Sequence, residues 1–213
     1  MGMRQNARGD RMNTELLNKE DIDRVVELLN KGEVVAIPTD TVFGVAVRYD
    51  NLEAINKLKD AKGRDESKPF PMMVASLNHI KQVADVDKKY EKLINKLMPG
   101  ALTIIVNKKS GIPDYVTNGK STIAIRIPDD EYMLEVLQKI NKPLLVTSAN
   151  VSGAKSATTS VEVLKQLDRK IAGVVIGSSK SDTASTIVDL TDDDHKILRE
   201  GPISKITIDN VLK

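Results

Sequence analysis

Val34-Val35-Ala36-Ile37-Pro38-Thr39-Asp40-Thr41-Val42-Phe43-Gly44 is the stretch from which the rest of the chain can be read. Its first four residues are apolar and rich in β-branching, which suits a strand covered on both faces. The run breaks at Pro38, so Thr39, Asp40 and Thr41 fall where a strand end meets a turn. Leu52, Ile55 and Leu58 then recur at helical spacing, and the predicted helix runs into Lys62-Gly63-Arg64 and Lys68-Pro69. Strand, polar turn, helix and basic loop make one unit over residues 34–69. Cations just past a helix, near a hydroxyl-rich turn, suit the clamping of a polyanion. They suit a solvated basic loop equally well.

With 213 residues, the chain can bury a full core. Apolar content of 40% and charged content of 29% are ordinary for a globular protein in water. Only two Phe, four Tyr and no Trp are present, too few for a surface that stacks successive nucleic-acid bases. The absence of Cys excludes a thiol nucleophile, a Cys-based zinc site, an iron–sulfur cluster and disulfides. Two His, His79 and His195, argue against a multi-histidine metal site, and no metal ligands are assigned. No apolar run approaches the roughly 18–20 residues needed to cross a bilayer, so a cytoplasmic location without membrane contact is expected. Residues 1–12 are polar and read as a disordered or upstream extension, and 13–213 as one domain.

Outward from that unit, Ile22, Val25, Val26 and Leu29 mark an amphipathic helix over 19–31, stopped by Gly32. A short strand follows at 71–75, and helices at 76–84 and 87–97, the second ended by Pro99-Gly100. Residues 101–106 are strand-like. Over 121–127 the sequence alternates, with Ile123, Ile125 and Ile127 on one face and Thr122, Ala124 and Arg126 on the other. A helix over 128–140 leads to a strand at 144–146. Beyond it come a Ser/Thr/Gly/Ala loop, a helix near 161–167 and strands at 174–176, 186–188 and 196–198. The tail from 206 to 212 is ambiguous. The predicted fold is α/β, a single-domain twisted mixed sheet with flanking helices.

No Walker A, G-x-G-x-x-G or G-x-S-x-G pattern is present. What recurs is a hydroxyl-rich segment directly after an apolar strand, as at Thr39/Thr41, Thr147/Ser148/Asn150 and then Ser156/Thr158/Thr159, with Ser185/Thr186 at the start of another strand. Strand ends on one sheet edge are where α/β ligand crevices form, although turn chemistry explains each cluster singly. Arg126, placed on a strand, needs an anionic partner, either a structural carboxylate or that of a substrate. Arg199 raises the same question. Asp40, Asp182 and Asp189 are candidate bases with no paired spacing. Asp192-Asp193-Asp194 reads as a solvated acidic turn, and both His as surface residues.

Together these segments resemble the YrdC-like family, specifically its threonylcarbamoyl-AMP synthases in their short form. Ile37-Pro38-Thr39-Asp40-Thr41-Val42-Phe43-Gly44 is similar to that family's Pro-Thr-(Glu/Asp)-Thr-Val-(Tyr/Phe)-Gly signature. Lys62-Gly63-Arg64, Pro99-Gly100-Ala101-Leu102-Thr103 and Thr122-Ile123-Ala124-Ile125-Arg126-Ile127-Pro128 resemble further elements. Ser148-Ala149-Asn150-Val151-Ser152-Gly153, Ser185-Thr186-Ile187-Val188-Asp189 and Ile197-Leu198-Arg199-Glu200-Gly201 complete the series in the family's order. Asp65, Met73, Ala184 and Glu200 depart from the family pattern.

The resemblance implies that L-threonine and bicarbonate form a carbamate that attacks the α-phosphate of ATP, giving threonylcarbamoyl-AMP and pyrophosphate. That product feeds the threonylcarbamoyl modification of the tRNA adenosine beside the anticodon through downstream transferase proteins. In-line displacement needs positioning and charge compensation more than covalent help, so hydroxyls and cations suffice. By the resemblance, Lys62, Arg64 and Lys68 neutralise the triphosphate, with Lys62 and Arg64 catalytic, while Thr122, Ser148, Asn150, Ser156 and Arg199 hold the nucleotide. Thr41, Arg126 and Ser185 hold threonine, Arg126 on its carboxylate, with the backbone near Val146 alongside. Mg²⁺ is expected on the phosphates, and tRNA contact is possible. The alternatives are a non-catalytic tRNA- or rRNA-binding module and a carbamoyl-transferring relative with a larger substrate.

Overall fold

The computed structural model describes residues 13–63 and 68–213. The reading of residues 1–12 as an extension, and the role given to Arg64, therefore lie outside the described residues. A short strand β1 (Glu15–Leu17) precedes α1 (Ile22–Asn30), and the apolar run forms β2 (Val35–Ile37). The polar turn then returns as a second strand, β3 (Gly44–Arg48), antiparallel to β2 with Ile37 opposite Gly44. This corrects the reading of a turn leading straight to a helix. Gly44, Val45, Ala46 and Val47 are all buried, so both faces are apolar and no alternation marks the strand.

After β3 come α2 (Leu52–Lys62), β4 (Met72–Met73), α3 (Leu77–Val83), β5 (Ala84–Asp85), α4 (Lys88–Leu97) and β6 (Leu102–Lys108). The second half holds β7 (Thr122–Arg126), α5 (Glu131–Ile140), β8 (Leu144–Ser148), α6 (Ser160–Leu167), β9 (Gly173–Val175), β10 (Thr186–Asp189), β11 (Lys196–Arg199) and α7 (Lys205–Leu212). The helix starts follow local chemistry. Side chains of Asn51, Ser76, Asp87, Asp130, Thr159 and Ser204 each accept a backbone N–H in the first turn of the helix they precede. Each such cap is worth about 0.5–2 kcal/mol. The ambiguous tail is α7, which buries Ile208 and Val211 and leaves Ile206 in solvent.

One mixed sheet runs β1-β9-β2-β3-β8-β4-β7-β6-β10-β11, with β5 paired to β6 off that path. The β1/β9, β9/β2, β4/β7 and β6/β10 pairs are parallel, and the remaining ladders antiparallel. Helices cover both faces. Val25 and Leu29 of α1 and Met133, Val136 and Leu137 of α5 pack on Val35, Ile37, Ala46 and Val146. On the other face Ala54 and Leu58 of α2, Leu93 and Ile94 of α4, and Val163 of α6 join Phe43, Val45, Val47, Ile104 and Ile125. Phe43 is fully buried, so Phe43→Ala would cost about 3–5 kcal/mol. It ties the polar turn rigidly to the core.

The predicted alternation in β7 holds. Ile123, Ile125 and Ile127 enter the larger core, and Arg126 emerges on the opposite face beside the ends of β4, β6 and β8. Among the described residues no helix is long and apolar enough to cross a membrane.

Candidate active site

A cavity of about 210 Å³ opens where the β2–β3 turn meets the ends of β4, β7, β8 and β11. Thr41, Arg126, Val146, Ser148, Ser156, Ser185 and Arg199 all line it, so seven residues singled out from separate stretches of sequence converge. Thr39, Gly44, Met73 and Thr103 complete much of the wall. Gly44 matters for a steric reason. A Cβ there would stand 2.6 Å from Cγ1 of Val146, so only glycine lets β3 and β8 close this side of the cavity.

Arg126 organises the floor. It is 3% exposed, and its guanidinium donates from Nε to the carbonyl of Gly100 (2.9 Å), from Nη1 to Oγ1 of Thr41 (2.8 Å) and from Nη2 to Oδ2 of Asp40 (2.5 Å). Burial pulls its pKa below the usual arginine range, against the opposing pull of the Asp40 charge. It stays protonated, because a guanidinium does not titrate in the physiological range. The anionic partner left open by the sequence is thus present within the chain as Asp40. The turn bearing Asp40 is tightly knit, since Oγ1 of Thr39 accepts from the Thr41 N–H (3.1 Å) and donates to the Val42 carbonyl (2.8 Å).

A second network builds the opposite wall. Ser185 Oγ and Thr103 Oγ1 are 2.7 Å apart, and Arg199 donates from Nε to the Ser185 carbonyl (3.0 Å). Behind them Thr186, fully buried, donates to the Ile203 carbonyl (2.6 Å) and accepts from the Gly201 N–H (2.9 Å). A Cβ on Gly201 would lie 2.4 Å from the Ala184 carbonyl oxygen, so this crossing also requires glycine. Thr186 and Gly201 therefore lock the segment that carries Arg199 against Ser185.

Lys62, expected just past a helix as a phosphate clamp or a solvated loop cation, is instead the last residue of α2 and is buried. Its Nζ donates to the carbonyls of Ser148 (2.9 Å) and Asn150 (3.1 Å), because α2 ends against the loop that leaves β8. Asn150 serves the same loop. Its amide nitrogen donates to the Val151 and Ala154 carbonyls, and its oxygen faces Ser156 Oγ at 3.5 Å. Both residues shape the segment that presents Ser148 and Ser156, and neither lines the cavity.

Thr122 is not at the cavity either. It lies at the other end of β7, roughly 13 Å along the strand from Arg126, but on the same face. Lys68 is exposed. His195, read as a surface residue, is partly buried, with Nε2 2.8 Å from Oδ1 of Asp209 in α7. His79 is likewise partly buried. The acidic run at 192–194 is solvated as expected, with Asp192 paired to Lys196 and Asp193 to Lys89. Asp182 and Asp189 bond their own loops through Thr183 and Thr191. The sequence does not reveal Asp40 as Arg126's partner, marks Thr39 only as part of a hydroxyl-rich cluster at a strand end, and gives Thr103 no binding role. Thr103 lay inside a quoted motif, which was the available signal.

The chain matches the Sua5–YciO–YrdC family, described as telomere recombination, over residues 27–201. It is 40% identical over 197 residues to a putative threonylcarbamoyl-AMP synthase of Methanocaldococcus jannaschii, covering 89% of this chain and 93% of that protein. It is 34% identical to the threonylcarbamoyl-AMP synthase of Bacillus subtilis, covering 92% of this chain and 57% of the relative. The crystal structure of P. abyssi Sua5 complexed with L-threonine superposes with a TM-score of 0.88 at 28% identity, covering 93% of this chain and 61% of that one. The chain thus spans somewhat over half the length of these last two proteins.

Proposed function

Because the chain belongs to the Sua5–YciO–YrdC family, we propose that its cavity forms threonylcarbamoyl-AMP and pyrophosphate from L-threonine, bicarbonate and ATP. The observation that carries this reading is the meeting of Thr41, Arg126, Val146 and Ser185 with Ser148, Ser156 and Arg199 in one small space. At about 210 Å³ the cavity falls below the roughly 300–1,000 Å³ of pockets that enclose drug-sized ligands. It suits an amino acid, and the nucleotide lies across its mouth.

Arg126 faces the threonine carboxylate, Thr41 and Ser185 supply hydroxyl partners, and the Val146 backbone closes the side. Ser148, Ser156 and Arg199 take the nucleotide, and Thr122 meets it further along the same sheet face. Asn150 acts through the loop it braces. Lys62 places its charge beneath that loop, and Arg64 and Lys68, next in sequence, complete the neutralisation of the triphosphate. The carbamate oxygen attacks the α-phosphorus and pyrophosphate leaves, a displacement in which alignment and fixed positive charge do most of the catalytic work. Mg²⁺ would be carried on phosphate oxygens, its preferred hard ligands. Among the described residues no three His, Asp or Glu side chains gather to hold a metal. The adenylate then passes to a transferase that modifies tRNA, and the cytoplasm is the compartment where these reactants meet.

Pyrophosphate release from ATP that requires both threonine and bicarbonate is the test. Lys62→Met and Arg64→Ala should each lower it by about 10²-fold or more, the scale expected when a fixed charge at the reacting phosphates is removed. Wild-type rates in both variants would remove these two from the site. Tight, salt-sensitive RNA binding indifferent to ATP, with no pyrophosphate release, would identify a binding module instead.

A further inference from the structure

The Arg126–Asp40 pair is incomplete in a way that the fold alone does not require. Guanidinium and carboxylate meet best as a two-pronged fork, yet only Oδ2 of Asp40 is engaged, by Nη2. Oδ1 is buried and has no hydrogen-bond partner among the described residues. On the other side, a guanidinium carries five N–H groups, and three are directed to Gly100, Thr41 and Asp40. Arg126 also lines the cavity, whereas Asp40 does not. One cation therefore faces a fixed internal carboxylate and an open space that admits another.

We infer that Asp40 is a built-in counter-ion that holds Arg126 when the pocket is empty and competes with the substrate carboxylate for it. This rests on the reading of Arg126 as the carboxylate anchor. The physical basis is that two carboxylates sharing one buried cation repel each other, so the internal one weakens binding of the incoming one. Only the Asp40 side chain can yield. The backbone on both sides is fixed, with the Thr39 carbonyl accepting from the Lys180 N–H (3.2 Å), the Thr41 carbonyl from the Ser181 N–H (3.2 Å), and the Thr41 N–H bonded to Thr39. Yielding is therefore a rotation of a short side chain and leaves the turn, and Thr41 with it, in place. The device keeps a buried guanidinium aligned between turnovers and makes the carboxylate, above the rest of the ligand, the group that the pocket tests.

Asp40→Asn keeps the shape and a hydrogen bond to Arg126 while removing the charge. Titration calorimetry of the full chain with L-threonine should show tighter binding in this variant, by about 10-fold, the scale of one pKa unit of charge interaction. L-Threoninamide, which lacks the carboxylate, should bind wild type and variant alike. Unchanged or weaker threonine binding in a folded Asp40→Asn chain overturns the inference, and so does an equal gain for threoninamide. Arg126→Gln separates the two levels. If it leaves threonine binding untouched, the anchor reading itself has failed. If it weakens threonine while Asp40→Asn fails to strengthen it, only the counter-ion role falls. Asp40→Glu, checked for folding by its melting transition, should retain the competition and bind threonine no more tightly than wild type; tighter binding there counts against it.

Discussion

Two arginine–carboxylate pairs in this molecule invite opposite conclusions from their contact geometry and from their surroundings. Arg24 has the richer geometry. Its Nε and Nη2 fork onto Glu15 at 2.9–3.2 Å, its Nη1 reaches Glu27 at 2.8 Å, and Lys31 joins the same Glu27. Arg24, Glu15 and Lys31 also line the more spacious cavity, an open groove of about 1020 Å³ beside β1 and β9. Arg126 meets Asp40 through one contact, over a cavity of about 210 Å³. Yet the Arg24 and Glu15 side chains are 38% and 40% exposed, and those of Arg126 and Asp40 only 4% and 8%. Water screens the first pair and is kept from the second. The number of contacts and the size of a groove do not locate the chemistry; a buried charge with a half-engaged partner does.

The sharpest test of that contrast is catalytic. Arg126→Lys keeps the charge but loses the planar fork, so it should lower threonine-dependent pyrophosphate release by about 10²–10³-fold. Arg24→Lys should leave the rate unchanged. Equal losses in the two would mean that burial is not what distinguishes them.

Stability should divide the pairs next. Asp40→Ala strands a buried guanidinium, a change that costs about 3–5 kcal/mol when a buried pair loses one partner. At roughly 2–4 °C per kcal/mol for a chain of this size, the melting midpoint should fall by about 6–20 °C. A drop under 2 °C would show that solvent reaches Arg126 readily. A smaller effect is expected from Thr186→Val, which keeps the volume but leaves the Gly201 N–H without its acceptor, a loss of about 1–3 kcal/mol. With Arg199 loosened from Ser185, the KM for ATP should rise several-fold while the KM for threonine moves less. An unaltered KM for ATP would detach Arg199 from the nucleotide.

Why the Arg126–Asp40 pair was only half readable follows from how sequence stores information. Arg126 stood out because β7 is covered by isoleucines on one side only, and period-two alternation is local. Its partner is 86 residues away, joined by a ladder order that no short window records. The same distance effect hid the Thr103–Ser185 contact, across 82 residues. β3 escaped because burial on both faces erases alternation, and β1 and β5 are short segments that each carry a carboxylate, so neither shows an apolar run. The burial of Lys62 was not legible, because only the packing of α2 against the β8 loop encloses a cation that its sequence neighbours place equally well in solvent or on a polyanion. The helix starts at Ser76 and Asp87 were legible, since capping is settled within four residues, whereas the helix expected from 128 begins at Glu131, capped by Asp130.

The smallest effect concerns the exposed pair itself, where pH offers a cleaner handle than mutation alone. The Glu27 carboxyl is held down from 4.5 to about 2, first by its hydrogen bond from Lys31 and then by that from Arg24. A carboxyl depressed by folding stabilises the native state at pH values above its unfolded pKa. That stabilisation fades as pH falls through the window from about 4.5 to about 2. Arg24→Gln removes one of the two donors, so its melting midpoint should trail wild type by less than about 2 °C at pH 7, as exposed ion pairs are weak. The gap should narrow as the buffer is taken down through that window, and also in 1 M salt, where the Debye length shrinks to about 3 Å. A gap that survives both acid and salt would mean that Arg24 acts through the packing of its stem and not its charge, since neither treatment touches an apolar contact. Pyrophosphate release should be the same in variant and wild type at neutral pH, because the groove beside β1 shares no residue with the cavity over Arg126.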